Sequence, residues 1–309
     1  MQALVIGGSG FLGLEICKQL IALGINVKTF HRRPSEQLKA LGVQQHLGSV
    51  EEETLIDKVV QNSDVVFYCA GNLDLRCTLE EHFNCNYKGV LHAVRAGLKH
   101  KIKAFILTST PSVFLNPKGI CGFSEYELTY SSINEPYVQS KIAAEKMLLT
   151  QHPYKFPFVI LRPHQIWSDG NNKFSQELLK AHSYLRIIGD GKNRVDSIHV
   201  IDAANAHIKA MEKLLLSPKN ISGRDYNLSS SRPFLLWKEI NSFYIKRGLS
   251  PIVRKVSPFT VRLKSIIERN LKKESSSISE YVVIQLSVDR WFDCTRAQRE
   301  LSFTFKRFQ

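Results

Sequence analysis

The chain's 309 residues are 43% hydrophobic and carry a formal net charge of +14, a composition that supports a sizeable core and excludes a chain disordered from end to end. The basic excess is spread along the sequence without a helix-turn-helix or RNA-binding-sheet signature, which argues against a nucleic-acid partner. Six cysteines with neither a C-x-x-C pair nor regular spacing exclude a disulfide scaffold and are expected to be buried free thiols in a reducing compartment, with no metal bound.

The opening stretch Met1-Gln2-Ala3-Leu4-Val5-Ile6-Gly7 lacks a basic n-region and runs straight into a glycine turn, so residues 2–6 are predicted as a first strand rather than a secretory leader. No stretch approaches the roughly 18 consecutive apolar residues of a membrane span. A cytoplasmic location is the expectation. The loop Gly7-Gly8-Ser9-Gly10-Phe11-Leu12-Gly13 follows, then a helical run to Leu23. In that order glycines at 7, 10 and 13 allow a tight turn, clear space for a pyrophosphate and let the helix pack on the strand. The phosphate then meets the open N–H groups of the first helical turn.

A second strand, Asn26–Phe30, ends in His31-Arg32-Arg33-Pro34. An NAD site would place a carboxylate near here for the ribose 2′-hydroxyl. The guanidiniums offer a fork for a 2′-phosphate instead, so NADP is the preferred cofactor, with NAD the alternative and Arg32 ahead of Arg33 as the contact. Strands are then predicted at 64–68, 103–108 and 158–161, with helices near 51–61, 80–99 and 137–151. Such alternation implies an α/β fold with a doubly wound parallel sheet whose ligands bind beyond the carboxyl ends of the strands. Just past those ends lie Cys69-Ala70-Gly71-Asn72, small enough to lie against a nicotinamide, and the hydroxyl-rich Thr108-Ser109-Thr110-Pro111-Ser112-Val113-Phe114.

Asn134-Glu135-Pro136-Tyr137-Val138-Gln139-Ser140-Lys141 begins the helix predicted at 137–151, with Pro136 suited to its first turn. Tyr137 and Lys141 share one face, and of the ten tyrosines only Tyr137 has lysine at the fourth following position. An ammonium so placed favours the phenolate and lowers the phenol pKa, giving a proton donor and acceptor usable near neutrality.

Beyond residue 166 the pattern changes. His164–Asn172 reads as a loop, 173–186 as a helix, Gly189–Asn193 as a turn, 197–200 as a short strand, 204–216 as a helix, 226–228 as a strand and 235–247 as a helix. The substrate pocket is expected to draw on 72–78, 112–116, 164–174 and the C-terminal third, which makes Asn72, Ser112, His164 and Trp167 candidate substrate contacts. Residues 251–273 interleave seven Lys and Arg residues with apolar ones at helical spacing. The favoured reading is a lid over the pocket; the alternative is a basic amphipathic segment on an anionic membrane surface.

Taken together these residues resemble the extended short-chain dehydrogenase/reductase superfamily, and within it the 3β-hydroxysteroid dehydrogenase-like branch. Residues 7–13 look like its cofactor loop and Tyr137–Lys141 like its catalytic motif. Asn86-Tyr87-Lys88-Gly89 resembles its N-x-x-G segment, Leu161-Arg162-Pro163 its L-R-P, and Gly189-Asp190-Gly191 with Val200–His207 its G-D-G…V-x-D-x-A-x-A-H block. Trp291–Leu301 resembles its closing helix. The resemblance implies a Rossmann domain over 1–165, rejoined by 187–224, and a smaller substrate-binding subdomain from 166–186 and 225–309. It places Thr110 at the catalytic Ser/Thr position with Ser109 as fallback, gives Asn86 a role in holding the active site and Pro163 one beside the cofactor, and suggests a homodimer paired through the helices at 80–99 and 137–151. Two departures stand out: Gly48-Ser49 replaces the branch's adenine-contacting G-D, and Trp167-Ser168-Asp169-Gly170 replaces its Y-G-P-G.

The activity implied is hydride transfer between NADPH and a carbonyl or secondary alcohol carbon of a hydrophobic sterol-, flavonoid- or acyl-like substrate. Tyr137 would exchange the proton, Thr110 would bind the substrate oxygen, and Lys141 would also hold the nicotinamide ribose. The alternatives are a nucleotide-sugar epimerase or dehydratase on the same fold and a non-catalytic NADP-binding redox sensor, the latter disfavoured by the Tyr/Lys pair.

Overall fold

The computed structural model describes residues 1–151, 156–168, 173–263 and 279–305. Its central sheet follows from short apolar runs that are buried on both sides. Ala3 and Val5 of β1 (Gln2–Ile6) enter one core while Leu4 and Ile6 enter the other, and the same alternation divides Val65 and Phe67 from Val66 and Tyr68. After β1 come α1 (Phe11–Ala22), β2 (Asn26–His31), α2 (Glu36–Ala40), β3 (Gln44–Leu47), α3 (Glu53–Val60) and β4 (Val65–Tyr68). Then follow α4 (Leu79–Phe83), a π-helical turn (Asn84–Lys88), α5 (Gly89–Lys99), β5 (Ala104–Thr108), β6 (Ile120–Phe123), α6 (Pro136–Gln151) and β7 (Phe158–Pro163).

The second half adds β8 (Ile166–Trp167), α7 (Lys173–Ala181), β9 (Ile187–Ile188), β10 (Arg194–Val195), β11 (Ile198–His199), α8 (Val200–Leu216), α9 (Pro218–Ile221) and β12 (Arg224–Leu228). It closes with β13 (Phe234–Leu235), α10 (Leu236–Ile245), β14 (Lys255–Val256), α11 (Glu280–Ser287), β15 (Arg290–Phe292) and α12 (Thr295–Leu301).

The main sheet has seven strands in the order β12-β7-β5-β4-β1-β2-β3, every neighbouring pair parallel. The chain leaves β1 towards β2 and β3 and returns beside β1 as β4, so the order reverses between β1 and β4. A crevice opens at such a reversal beyond the carboxyl ends of the strands. Helices α1, α8 and α12 cover one face; α3, α5 and α6 cover the other. A smaller sheet, β13-β10-β15-β6, ties the loop after β5 to the C-terminal residues. A third core around Trp237, Ile240 and Tyr244 supports it, and a fourth joins Val113, Phe114, Tyr137 and Val138 to Phe292 and Cys294.

Several sequence expectations are corrected. The helix predicted over 80–99 is interrupted by the π-helical turn, whose extra residue swings Asn86 into the interior. The loop predicted at 164–172 contains β8, which pairs in parallel with β11; two residues are too few to register as a periodic pattern. Residues 291–292, grouped with a closing helix, are extended because they pair with β6. Only Cys17 and Cys294 are buried as whole residues; Cys69, Cys77 and Cys85 are intermediate and Cys121 is exposed on β6. Of the basic segment 251–273, β14 pairs with β9 and residues 258–263 are helical, while 264–273 lie outside the described residues, as do Asp169 and Gly170. Among the described residues no helix is long and apolar enough to cross a membrane, and no cluster of His, Cys, Asp and Glu could hold a metal ion.

Candidate active site

The glycine loop is fixed by contacts that no side chain could share. Gly7 ends β1 at φ +85°, and a Cβ there would lie 2.6 Å from the Ala70 nitrogen, because the exit of β4 is pressed against it. At Gly13 a Cβ would stand 2.3 Å from the Gly7 carbonyl oxygen, so only glycine lets α1 start this close to β1. The Gly7 N–H donates to the Phe30 carbonyl at 2.8 Å and the Gly10 N–H to the Gly7 carbonyl at 2.9 Å. Gly10 caps α1 without a side-chain hydrogen bond, Phe11 is exposed and Leu12 is buried. The first-turn amides of α1 therefore face a cradle free of side chains, and a dinucleotide pyrophosphate fits it.

At the end of β2, Arg32 and Arg33 are exposed, and neither forms an ion pair with a described residue. His31 turns inward instead. Its ring is buried with Nδ1 2.7 Å from the Arg33 carbonyl oxygen, and burial pushes its pKa below the ordinary histidine value. The two guanidiniums are thus open to solvent, while the imidazole braces the loop from beneath.

Pro136 opens α6 and sets Tyr137 and Lys141 one turn apart, at 5% and 6% exposure. Lys141 Nζ donates to the Thr108 carbonyl at 3.2 Å. Burial pushes its pKa down, while Cys85, Glu145 and Cys69 pull it up. Gly71 lies so close that a Cβ would be 3.4 Å from this ammonium. Burial pushes the Tyr137 phenol well above its ordinary value and the neighbouring Tyr281 phenol adds to this; a hydrogen bond with Thr110 opposes them. The lowering expected from Lys141 does not figure among these influences, and its ammonium is directed at the Thr108 carbonyl. Thr110 is the hydroxyl that meets Tyr137, and it also accepts from the Ser112 N–H at 3.2 Å. The Ser109 hydroxyl is buried away without a partner.

Asn86 is fully buried in the π-helical turn. Its Oδ1 accepts from the Asn72 N–H at 2.7 Å, and its Nδ2 donates to the Asn72 carbonyl at 3.1 Å and to Ser140 Oγ at 3.0 Å. The loop after β4 is thereby tied to α6. Gly89, three residues on, has a packing reason of its own: a Cβ there would be 2.3 Å from the Tyr68 hydroxyl. Behind Lys141, Thr108 Oγ1 lies 2.9 Å from His207 Nε2 and 3.2 Å from Cys69 Sγ. His207 Nδ1 is 2.7 Å from the Ala203 carbonyl and must be the protonated nitrogen, so Thr108 donates to Nε2. Burial pushes the Cys69 thiol up to about 11, and its contact with Thr108 opposes this.

The candidate substrate residues divide. Gly71 and Cys69 lie by Lys141, Asn72 is tied through Asn86 to Ser140, Ser112 meets Thr110, and Ala70 is pressed against Gly7. His164 and Pro163 lie at the end of β7, with His164 Nδ1 2.6 Å from Asp196 Oδ1. Trp167 stands apart on the β8–β11 pair, edge-on to His199 with centroids 4.7 Å apart. Residues not singled out from the sequence also belong here. Tyr281 of α11 meets the Tyr137 ring at 81° with centroids 6.0 Å apart, and its hydroxyl lies 3.1 Å from Ser112 Oγ. His82 flanks Tyr137 on another side at 6.0 Å. Ser140 was within reach of sequence reasoning, being one turn along the Tyr137 face; Tyr281 is far along the chain and carries no local signal.

The profile of the 3-beta hydroxysteroid dehydrogenase/isomerase family matches residues 4–252. The 2-alkyl-3-oxoalkanoate reductase of Shewanella oneidensis is 30% identical over 317 aligned positions, covering 98% of this chain and 82% of that protein. The protein of the same name from Stenotrophomonas maltophilia is 28% identical, covering 98% and 94%. Among solved structures, UDP-glucuronic acid 4-epimerase of Bacillus cereus in complex with NAD is similar with a TM-score of 0.77 and 20% identity, covering 100% of this chain and 94% of that one. At that identity the likeness is one of fold.

Proposed function

The chain belongs to the 3-beta hydroxysteroid dehydrogenase/isomerase family, a family of NAD(P)-dependent enzymes, and on that premise we propose that it is an NADPH-dependent reductase of a carbonyl on a hydrophobic, acyl- or sterol-like substrate. The observation that carries this reading is the meeting of Tyr137, Thr110 and Lys141 beyond β5, on the sheet edge that also bears the glycine cradle. NADPH, when bound, supplies the hydride.

This chain's residues do the rest. Tyr137 gives its proton to the substrate oxygen. Thr110 holds the same oxygen by a hydrogen bond. Lys141 stands behind Tyr137 as a cation that steadies the phenolate left after transfer, and Asn86 keeps α6 and the loop after β4 in register. Arg32 and Arg33 favour the 2′-phosphate of NADP. The oxoalkanoate reductases named above favour an acyl-like substrate.

Thermal-shift titration with NADP, NAD and UDP-glucose, followed by NADPH oxidation with 3-oxoacyl esters, tests the reading. Stabilisation by NADP and oxidation of NADPH by an oxo ester are expected. Stabilisation by UDP-glucose with no reduction of any oxo compound would sink it in favour of a nucleotide-sugar enzyme.

A further inference from the structure

Tyr137 is held by neighbouring rings as well as by its hydrogen bond with Thr110. Tyr281 of α11 meets it almost at a right angle, at 81° with centroids 6.0 Å apart, and His82 of α4 meets it at 61° with the same separation. Edge-to-face pairs fix the relative orientation of two rings, because the electropositive edge of one seeks the electronegative face of the other. The two neighbours are anchored differently. His82 stands one helical turn before Asn86, with Nδ1 3.5 Å from the Asn86 Nδ2, and so belongs to the brace of the loop after β4. Tyr281 arrives from the C-terminal part of the chain.

The far end of Tyr281 is fixed as well. Its hydroxyl lies 3.1 Å from Ser112 Oγ, and Gln285, one turn on along α11, brings Nε2 within 3.3 Å of the same oxygen. Ser112 in turn gives its backbone N–H to Thr110 Oγ1 at 3.2 Å, at the start of the short turn Pro111–Phe114. The contacts close on themselves: Tyr137 to Tyr281 through their rings, Tyr281 to Ser112 through hydroxyls, Ser112 to Thr110 through the backbone, and Thr110 back to Tyr137. A leucine at 281 could fill the apolar cluster around Val113, Phe114 and Val138 with no polar atom to satisfy, and a phenylalanine would keep the edge contact alone. Tyrosine reaches both groups that have to meet at the substrate oxygen.

We propose that Tyr281 is a positioning residue for the reduction, its ring setting the tilt of Tyr137 and its hydroxyl, through Ser112, setting the place of the Thr110 hydroxyl. The inference rests on the reductase reading and deepens it, because α11 then completes a site that the first half of the chain builds. The proton donor and the hydrogen-bond donor have to converge on one oxygen, and an error of about 1 Å in either can cost up to about a hundredfold in rate.

Steady-state reduction of methyl 3-oxooctanoate by NADPH tests this, with the rise in melting temperature on adding NADP as the check that each variant is folded. Tyr281→Leu is expected to lower kcat at least about thirtyfold while KM for the ester and for NADPH stays within about threefold of wild type. Tyr281→Phe, which keeps the ring, is expected to lose about three- to tenfold in kcat, and adding Ser112→Ala to it should cost little more, because both remove one hydroxyl pair. Wild-type kcat in Tyr281→Leu, a loss confined to KM, or additive losses in the Phe and Ala pair would each overturn the positioning role; the last of these decides even where the leucine variant does not fold. A readout independent of turnover is the magnetic resonance signal of the Tyr137 ring in protein carrying isotope-labelled tyrosine, identified by its absence from Tyr137→Phe. That signal should shift in Tyr281→Leu and stay in place in Tyr281→Phe; an unmoved signal in the leucine variant also counts against the proposal. Wild type that reduces no oxo compound removes the reductase reading, and the ring signal then decides on its own whether Tyr281 holds Tyr137.

Discussion

Asn86 and the backbone of Asn72 hold each other in both directions, N–H to Oδ1 at 2.7 Å and Nδ2 to carbonyl at 3.1 Å, while the same Nδ2 reaches Ser140. One carboxamide thus fixes the loop after β4 and the first turn of α6. Asn86→Ala strands those partners in the interior and is expected to cost about 1–3 kcal/mol. Denaturant titration measures the loss, and kcat should fall with it as Tyr137 and Gly71 lose their common brace. A variant with wild-type stability would show the pairing to be incidental.

Tyr137→Phe removes the proton donor and leaves the glycine cradle intact. Turnover is expected to drop by about a thousandfold, with NADPH affinity by fluorescence quenching changed little. Retention of full activity in this variant rules out the assigned role.

Arg32→Asp replaces a fork donor at the end of β2 with a carboxylate suited to a free 2′-hydroxyl. The NADPH-to-NADH ratio of kcat/KM is expected to fall at least about tenfold. Unchanged ratios for this variant and for Arg33→Asp would move the 2′-phosphate contact elsewhere.

His207 is buried, and desolvation pushes its pKa from 6.5 down to about 4. The unfolded chain therefore binds a proton that the native state refuses. The stability contributed by the neutral ring is complete above pH 6.5 and is lost as the pH falls towards 4, with an upper bound of about 3 kcal/mol. Denaturation midpoints measured across this window should slope downward in acid, and His207→Asn should flatten the slope. An identical slope in the variant would assign the acid lability to other groups.

Glu145 takes Arg162 through both oxygens, Oε1 to Nε at 2.9 Å and Oε2 to Nη2 at 2.7 Å, and Oε2 also accepts from the Tyr130 hydroxyl at 2.9 Å. Glu145→Leu would leave Arg162 with Asp225 alone and is expected to cost about 3–5 kcal/mol. The double variant Glu145→Leu, Arg162→Met should recover much of that loss in the same denaturation assay. A double variant no more stable than the single would mean that the pair does more than balance itself.

What could be read from the sequence is what is local. The glycine loop, the arginines after β2 and the Tyr137–Lys141 pair each occupy a few consecutive residues, and their spacing alone implies a turn, a fork or a shared helix face. The π-helical turn was invisible because the 80–99 region keeps helical composition throughout; only the inward demand of Asn86 reveals the extra residue. Tyr281 and His207 reach the site from elements distant in the chain, where nothing nearby marks them as different from core residues. The pKa of Tyr137 was misjudged because the lysine is evident in sequence and the depth of burial is not.

The pairing of β6 with β15 has a consequence for biosynthesis. The cradle and the Tyr137 helix leave the ribosome early, yet the strand Ile120–Phe123 has to wait for Arg290–Phe292 to emerge before it is paired. A nascent chain halted upstream of residue 290 therefore carries an unpaired strand edge, a natural docking point for chaperones. A premature stop before residue 290 would leave β6 without this partner.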